Sequence, residues 1–414
     1  MRCARDSFTN RAHSARYFAV HRQCWLNGFC ISNYHYNSCH RKEFLSMKNK
    51  LPLSDLSQAG AEWLTQTLAD RGHLLRGRVA RVIRDIWMQS NYSIIGRLQV
   101  SYSSDAVAEG GAALPAALLL KFNTPGRTTR AIPSFEPREF EFYSHIATGM
   151  NNPPTARCYD AAFEPRSGGF HLLLEDLTST HRYAGKALPP TLPECEQMVA
   201  CLARFHAAWW NDARLGTQIG RPFRDERRSQ YATTLTMQCG RFLARMGDRI
   251  AGARRDALRD LCGVYPRLLE RQRAGPLTIT HGDAHAQNFL LAKREGAEGA
   301  DCRLIDWEAW EIAPATDDLA FMMAVNWFAE RRQRMEQPLL RQYHSTLLAA
   351  GVCHYSWDAC WLDYRLSVIK HLCTPLYLSV NGAVPALWWN HLERILAAYE
   401  DLGCADIMAE LQAS

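Results

Sequence analysis

Three side chains that carry oxygen ligands follow two short apolar runs in the second half of the chain. Asp283 and Asn288 lie in His-Gly-Asp-Ala-His-Ala-Gln-Asn, directly after the apolar run 277–280. Asp306 ends a second apolar run, 23 residues after Asp283. A carboxylate on a loop can orient a hydroxyl group and accept its proton, and carboxylate and amide oxygens are ligands that Mg²⁺ prefers. The pattern predicts phosphoryl transfer from Mg·ATP, with Asp283 as the catalytic base and Asn288 and Asp306 as metal ligands.

The alternative interpretation is that these three residues only cap strands and shape turns. A His-Gly-Asp triplet alone would not decide between the two interpretations. The additional Asn288 and the Ile-Asp-Trp triplet at 305–307, at offsets that suit a metal site, favour the catalytic one.

Two kinds of pattern divide the rest of the chain. Alternating or compactly apolar runs predict strands at 79–86, 97–102, 117–122 and 170–174, and helical spacing predicts helices at 56–68 and 138–147. After residue 190 helical spacing dominates, in 194–212, 226–247, 253–272, 316–332, 337–350, 357–379 and 384–402, interrupted by the short strands 277–280 and 303–305. Strands first and helices later predict an α+β chain of two lobes.

The motifs resemble those of one known group of enzymes. The segments 281–288 and 304–308, supported by 138–143, 172–177, 202–210 and 317–323, are similar to the aminoglycoside phosphotransferase and choline kinase superfamily. Within it they most resemble the ecdysteroid-kinase-like, or CHK kinase-like, group, over about residues 55–400. The resemblance implies a bilobal protein-kinase-like fold. An N-terminal antiparallel-sheet lobe at 47–175 would bind the nucleotide, and a larger, mainly helical lobe at 176–414 would hold the catalytic residues and the acceptor.

The resemblance also implies ATP and Mg²⁺ as cofactors and assigns residues in the first lobe. Lys121 matches the strand lysine that pairs with the α- and β-phosphates, and Glu139 matches the helical glutamate that holds this lysine. Glu141, two residues further on, remains the alternative partner. An unpaired ammonium group is costly in a buried strand, so one of the two carboxylates is expected beside it.

Two further nucleotide-binding segments are expected. The loop that covers the phosphates corresponds to 89–96, which includes Ser93 and has one glycine and no Gly-x-Gly-x-x-Gly pattern. Glu175 and Leu177 belong to the inter-lobe hinge, which would offer backbone groups to adenine. The preference between ATP and GTP stays open.

Several polar residues near the motifs are interpreted as structural. His281 and His285 flank the predicted base and are expected to organise its loop by hydrogen bonds. His206 lies on an apolar helix and is expected to pack in the core. Asp318 stands at a predicted helix start, where free backbone N–H groups stabilise a carboxylate.

The sequence indicates the identity of the acceptor less clearly than the type of reaction. The C-terminal helices carry the aromatic residues Trp327, Trp357, Trp361, Tyr364, Trp388 and Trp389. Such residues could bind an apolar alcohol or a cation such as choline, or could pack the core. The helices in 337–402 are not conspicuously acidic, as an aminoglycoside pocket would be. We therefore favour a hydrophobic alcohol (a steroid, terpenoid or macrolide) over an aminoglycoside or choline.

Two other functions were weighed. A protein kinase is disfavoured because the His-Arg-Asp, Asp-Phe-Gly and Ala-Pro-Glu signatures are missing. A catalytically inactive nucleotide-binding regulatory protein should have lost Lys121, Asp283, Asn288 or Asp306, and all four are present.

The composition indicates which kinds of partner and which cellular compartment to expect. Residues 1–50 hold nine Lys/Arg and two Asp/Glu, so the rest of a chain of net charge +6 is close to neutral. That balance gives no reason to expect nucleic acid or a membrane surface as a partner. No apolar run is long enough to predict a membrane span. Fourteen scattered cysteines without a Cys-x-x-Cys pair indicate reduced thiols and a cytoplasmic protein, of open oligomeric state.

The first segment differs from the remainder. Residues 1–46 are basic and contain four Cys and four His at no zinc-finger spacing. We expect a disordered tail, or an extension that is not translated if translation begins at Met47. A transit peptide is the alternative.

Overall fold

The computed structural model describes residues 51–89, 93–123, 138–185, 188–220, 225–293 and 301–413, so the extension 1–46 lies outside them. The described residues form two compact units. The N-terminal unit reaches Gly149 and includes Thr155–Ser179, and the C-terminal unit combines Met150–Pro154 with the chain from Thr180 onward. The first contains a five-stranded antiparallel sheet and the second is mainly helical, which confirms the predicted fold class.

The sheet of the N-terminal unit has the strand order β1-β2-β3-β5-β4, and neighbouring strands are all antiparallel. Its strands are β1 Val79–Gln89, β2 Ser93–Tyr102, β3 Ala117–Asn123, β4 Cys158–Glu164 and β5 Gly169–Glu175. Helix α1 (Ala61–Asp70) precedes it, and the short helix α2 (Arg138–Glu141) continues into a wider turn at Phe142–Ile146.

The two faces of this sheet have different roles. Leu98, Leu118 and Leu120 belong to a buried apolar cluster together with Leu64 and Leu68 of α1. Successive side chains on a strand point to opposite faces. Lys121 and its register partners 95 and 172 therefore lie on the face away from α1.

The predicted boundaries of the phosphate-covering loop are wrong. Residues 93–96 belong to β2: 94–96 pair with both β1 and β3, and Ser93 lies opposite Asn123 of β3. The β-branched residues Ile94 and Ile95 favour the strand conformation. Because Gln89 ends β1, only 90–92 stand between the two strands, and these lie outside the described residues.

The C-terminal unit contains nine helices and five short strands in its described part. The helices are α3 Leu192–Ala208, α4 Asp225–Met246, α5 Gly252–Ala274, α6 Thr316–Ala320, α7 Ala329–Ala349, α8 Trp357–His371, α9 Cys373–Val380, α10 Pro385–Asp401 and α11 Cys404–Ala413. The strands are β6 His181–Tyr183, β7 Thr278–Thr280, β8 Phe289–Ala292, β9 Cys302–Leu304 and β10 Glu311–Ala313. One sheet has the order β6-β8-β9, and β7 pairs with β10.

Every helix in the described ranges is too short or too polar to cross a bilayer.

Two predicted helices end elsewhere in the structure. The predicted helix 357–379 divides after His371, because Pro375 lacks the N–H that the His371 carbonyl would need and its ring would crowd that carbonyl. The predicted helices 316–332 and 337–350 leave a break at 333–336. In the structure the break lies before Ala329, where Phe328 is extended (φ −64°, ψ 150°), and α7 continues through Pro338. Strand β4 was not predicted, because Cys-Tyr-Asp-Ala-Ala-Phe-Glu lacks a clear alternation.

A buried carboxylate connects distant parts of the N-terminal unit. Asp160 accepts hydrogen bonds from Arg71 Nε at 2.7 Å and from His171 Nε2 at 3.0 Å. The other ring nitrogen of His171 accepts the backbone N–H of Leu53 at 3.0 Å. Burial raises the pKa of Asp160, but the hydrogen bond of His171 and the charge of Arg71 outweigh it, so its pKa is below the usual value.

We expect Asp160→Asn to lower the free energy of unfolding by about 2 kcal/mol at pH 7, since hydrogen bonds to a buried charge are lost. A carboxyl group with a lowered folded-state pKa stabilises the fold above its unfolded-state pKa, about 3.9, and loses that effect as the pH falls through the folded-state value. The difference from wild type should therefore shrink below about pH 4 in urea unfolding experiments. Asp85→Asn, at an exposed site on β1, is the control and should leave stability unchanged. An equal difference at pH 7 and at acidic pH would contradict the ion-pair account.

Candidate catalytic site

The loop after β7 is anchored by the buried carboxylate of Asp318. This side chain accepts the backbone N–H groups of His281 at 2.6 Å and Gly282 at 2.8 Å, and a hydrogen bond from His206 Nε2 at 3.1 Å. Burial raises the pKa of Asp318, yet these partners lower it more, so the pKa is below the ordinary value. A charged carboxylate therefore fixes the residues directly before Asp283.

His206 extends this anchor into the helices. It lies near the end of α3, fully buried as predicted, and its Nδ1 forms a 2.7 Å hydrogen bond with the hydroxyl of Tyr343 on α7. Its Nε2 faces Asp318. The residue is thus a hydrogen-bonded link between two helices and the loop, and not only a packed core side chain.

Gly282 has a conformation that other residues rarely adopt. Its φ is +76°, and a Cβ at this position would lie 2.2 Å from the carbonyl oxygen of Ala309. Both the left-handed backbone and the close approach require glycine here. The middle residue of the His-Gly-Asp triplet is therefore fixed by sterics.

His281 connects the two motif segments, as its predicted role in organising the loop requires. Its Nδ1 accepts the backbone N–H of Asp283 at 3.2 Å, and its Nε2 donates to the carbonyl of Ile305 at 2.9 Å. Its ring packs against Trp307, with centroids 4.6 Å apart. The residue before Asp306 is thereby tied to the loop of Asp283.

The carboxylate of Asp283 is held on one side only. Asn288 Nδ2 donates to the backbone carbonyl of Asp283 at 2.8 Å and to its Oδ2 at 3.2 Å. His285 Nε2 lies 3.4 Å from the same oxygen. The other oxygen, Oδ1, is buried, and no side chain or backbone group in the described ranges donates a hydrogen bond to it.

The charge of Asp283 also acts on His285. Burial lowers the pKa of this histidine, but the nearby Asp283 carboxylate raises it more, so the pKa is above the usual value. His285 Nδ1 accepts the backbone N–H of Gln287 at 3.2 Å. The ring is therefore oriented with Nε2 toward the predicted base.

Asp306 stands two residues after the end of β9 in a left-handed conformation, with φ 69° and ψ 57°. Such a backbone costs a non-glycine residue about 1 kcal/mol or more and is typical of functional sites. The backbone N–H of Ile305 donates to the carbonyl of Asn288 at 3.0 Å. The two predicted metal ligands, Asn288 and Asp306, thus belong to backbone segments that are directly hydrogen-bonded.

In the N-terminal unit the partner of Lys121 is Glu139. The two side chains form an ion pair, and each is only 5% exposed. The alternative, Glu141, follows on the same helical segment. The predicted phosphate-binding lysine is therefore held by a buried carboxylate.

The remaining predicted nucleotide-binding residues are dispersed over the sheet. Ser93 is buried at the start of β2, two residues before the register partner of Lys121. Glu175 ends β5, where its Oε2 accepts the N–H of Arg157 at 3.2 Å, and Leu177 is buried in the following turn.

An unpredicted ion pair fixes the backbone between Glu175 and Leu177. Arg97 Nε lies 2.6 Å from the buried Asp176 carboxylate, and Arg97 Nη2 donates to Thr178 Oγ1 at 2.9 Å. The guanidinium group also lies over the ring of Trp87, 5.1 Å from its centroid. The sequence offered no short-range signal for this contact, because Arg97 and Asp176 are far apart along the chain.

The aromatic residues considered for the acceptor are mostly packed. Trp327, Trp388 and Tyr364 are buried, while Trp357 and Trp361 are half-buried and stack with centroids 5.9 Å apart. Arginine guanidinium groups lie over the rings of Trp327, Trp357 and Trp388, at 4.6, 4.2 and 5.2 Å from the centroids. These three ring faces already have a cationic partner within the protein.

The side chains of the C-terminal unit fit a magnesium ion and a hydroxyl acceptor. The amide nitrogen of Asn288 is directed at Asp283, which leaves the amide oxygen as its ligand atom. Asp306 offers a carboxylate, and Mg²⁺ takes one or two protein oxygens with water and phosphate in the other positions. The Asp283 side chain is 19% exposed, so its carboxylate can accept a proton from a bound hydroxyl group.

We expect Gly282→Ala to lower the free energy of unfolding by about 2 kcal/mol or more, because the left-handed conformation and the Ala309 carbonyl both oppose a Cβ. Gly263→Ala is the matched control, since Gly263 lies in α5 with open space around its Cα. Alanine should stabilise that helical site by up to about 1 kcal/mol. Thermal and urea unfolding measure both variants, and a Gly282→Ala protein as stable as wild type would contradict the described loop.

Comparisons with known proteins concern the fold and the family of the chain. A solved structure with a similar fold is a putative aminoglycoside phosphotransferase from Ralstonia eutropha JMP134, with a TM-score of 0.51 and 14% identity over 83% of this chain and 98% of that one. Two others are a microcompartment-associated aminopropanol kinase (TM-score 0.48, 10% identity, 80% and 94% covered) and choline kinase from Cryptosporidium parvum Iowa II (TM-score 0.48, 13% identity, 80% and 93% covered). A search of curated proteins finds no significant match.

The sequence model of one family matches residues 127–351, more than half of the chain. This range includes both motif segments and the anchoring Asp318. The chain therefore belongs to the ecdysteroid kinase-like family.

Proposed function

We propose that the protein is an ATP-dependent small-molecule kinase, which transfers the γ-phosphoryl group to a hydroxyl of a hydrophobic metabolite. The observation that carries the proposal is the half-held carboxylate of Asp283. One of its oxygens is engaged by Asn288 and His285, and the other is buried without a donor among the described residues. The Asp283 side chain as a whole is 19% exposed, so a bound hydroxyl group can reach the carboxylate that Asn288 and His285 keep oriented.

Asp283 serves as the general base. Its carboxylate accepts the proton of the acceptor hydroxyl while the hydroxyl oxygen forms a bond to the γ-phosphorus, and the bond from that phosphorus to the β,γ-bridging oxygen breaks. The products are ADP and a phosphate monoester. Asn288 and His285 keep the carboxylate oriented, and the His281 ring fixes the backbone on which it stands.

Asn288 and Asp306 would hold Mg²⁺, which when bound neutralises phosphate charge and polarises the transferred group. Lys121 would bind the α- and β-phosphates, since its ammonium is kept in place by Glu139. Ser93 and the backbone around Glu175 and Leu177 are the proposed contacts to the remainder of the nucleotide.

A hydrophobic alcohol is the favoured acceptor. The family to which the chain belongs is named after ecdysteroid kinases, which supports a steroid or a similar alcohol. A choline-type acceptor would require open aromatic faces, and arginines already cover the rings of Trp327, Trp357 and Trp388. Choline and aminoglycosides are therefore the second choice.

The proposed compartment is the cytoplasm. Among the described cysteines, Cys195, Cys201 and Cys302 are buried thiols outside any disulfide, which supports a reducing environment.

We expect Asp283→Asn to lower kcat by about 10²–10⁴-fold, the usual contribution of a positioned proton acceptor, with ATP binding retained. The assay incubates the protein with Mg·ATP and a panel of sterols, terpenoid and macrolide alcohols, aminoglycosides and choline. Mass spectrometry then identifies a product that carries one added phosphate. Asp256→Asn, at a highly exposed site on α5, is the control and should react like wild type.

Two outcomes would reject this account. Unchanged turnover in Asp283→Asn would remove Asp283 as the base. Tight ATP binding by wild type with no phosphorylated product from any acceptor class would favour the inactive regulatory protein.

A further inference from the structure

We propose that Lys370 is a positioning residue for catalysis, which latches the segment 306–318 to helix α8 and through it sets the loop that carries Asp283. The inference rests on the proposed function for its effect on rate. Its structural part, the latch itself, can be tested without any activity.

Lys370 is a buried ammonium group with two carboxylate partners from one segment. It lies near the end of α8 and its side chain is 11% exposed. Nζ donates to Glu311 Oε1 at 3.1 Å, and it forms a closer ion pair with Asp317 Oδ2. Burial lowers the pKa of Lys370, but the two carboxylates raise it by more than burial lowers it. The pKa is therefore above the ordinary value and the group stays charged.

Glu311 connects the latch to the strand that precedes Asp283. It is the first residue of β10, and it pairs in register with Thr280, the last residue of β7. The hydroxyl of Thr280 donates to the Glu311 carbonyl at 3.2 Å. Since Asp283 follows Thr280 by three residues, a displacement of β10 would reach the predicted base through β7.

Asp317 connects the latch to the anchor of the same loop. The next residue is Asp318, whose carboxylate holds the backbone of His281 and Gly282. Asp317 is therefore joined to the loop through its peptide bond to Asp318, whose carboxylate holds the loop backbone. Both ends of the latch lead to the residues directly before Asp283.

The surroundings of Asp317 hold it toward α8 from several sides. His371 Nε2 donates to its backbone carbonyl at 3.1 Å, and Gln272 Nε2 donates to its Oδ1 at 3.4 Å. The preceding residue, Thr316, shares a 2.9 Å hydrogen bond with Ser367. Lys370 is the residue in this group that balances the charge, because removing it leaves two carboxylates near each other in a largely buried place.

The test compares Lys370→Met, Lys370→Arg and Arg254→Met by enzyme kinetics and by hydrogen exchange with mass spectrometry. Arg254 is the control, because it also bridges two carboxylates, Glu393 and Glu400, but its ion pairs among the described residues join α5 to α10 and lie outside 306–318. In Lys370→Met we expect kcat to fall about 10-fold or more, with KM for ATP changed by less than about threefold. Lys370→Arg keeps the charge and should retain at least about one third of kcat.

Hydrogen exchange tests the latch directly. The amides of 305–319 and 281–288 should exchange about 10-fold faster in Lys370→Met, while those of the β1–β3 sheet and of α10 stay as in wild type. Arg254→Met should leave the first two segments unchanged. A general loss of stability would instead accelerate exchange throughout the C-terminal unit.

Two additional variants keep the proposal falsifiable if Lys370→Met folds poorly. Glu311→Gln retains the Lys370–Asp317 pair and should accelerate exchange in β10 with a threefold or so loss of kcat. The double variant Lys370→Met with Asp317→Asn removes both members of the Lys370–Asp317 ion pair. Its kcat should be at least about fivefold higher than that of Lys370→Met alone.

The outcomes separate the two proposals. A kcat within about twofold of wild type together with unchanged exchange, or uniformly faster exchange, would overturn the latch. If wild type phosphorylates nothing, the proposed function fails, and the localised exchange response still decides whether Lys370 holds the segment.

Discussion

The carboxylate of Asp318 accepts the backbone N–H groups of His281 and Gly282, and the position of the predicted base depends on this contact. The carboxylate is fully buried, so it must be paired to remain charged there. His206 supplies the third hydrogen bond and is itself held by Tyr343. The loop is thus tied to two long helices through one charge, and this rigid support is what a pre-oriented base requires.

The same principle recurs in both units: side chains with a predicted function are held by buried charges that come from distant parts of the chain. Lys121 is held by Glu139 in the N-terminal unit, and the backbone beside Leu177 by the pair of Arg97 and Asp176. In the C-terminal unit Lys370 holds the segment that contains Asp306. Removing one member of such a buried pair costs far more than removing an exposed pair, because the partner charge is left without compensation.

The sequence predicted those features of the site that are local in the chain. Asp283 and Asn288 stand five residues apart and touch directly, and a compact apolar run located the strand of Lys121. The anchors could not be predicted in the same way. Asp318 was expected to cap its own helix, and its role became visible only through contacts with residues more than 30 positions earlier. Lys370 gave no signal at all, because an ammonium on a helix is normally exposed.

Sequence patterns also failed to predict some strand boundaries and the role of the aromatic residues. The isoleucines of β2 were assigned to a loop, although their pairing with two strands makes them part of the sheet. Six aromatic residues could have marked a pocket or a core, and the spacing alone did not decide. Arginines stacked on three of them reveal the packing role, and these arginines come from α4 and α7.

The most direct test of the account measures whether magnesium couples ATP to Asp306. Calorimetric titration of ATP into wild type and Asp306→Asn, each with and without Mg²⁺, isolates this coupling from any choice of acceptor. The account predicts that Mg²⁺ strengthens ATP binding to wild type by about tenfold or more, and that Asp306→Asn loses most of this gain because a ligand oxygen is replaced. Equal ATP affinity with and without Mg²⁺ in wild type, or an undiminished gain in Asp306→Asn, would contradict it.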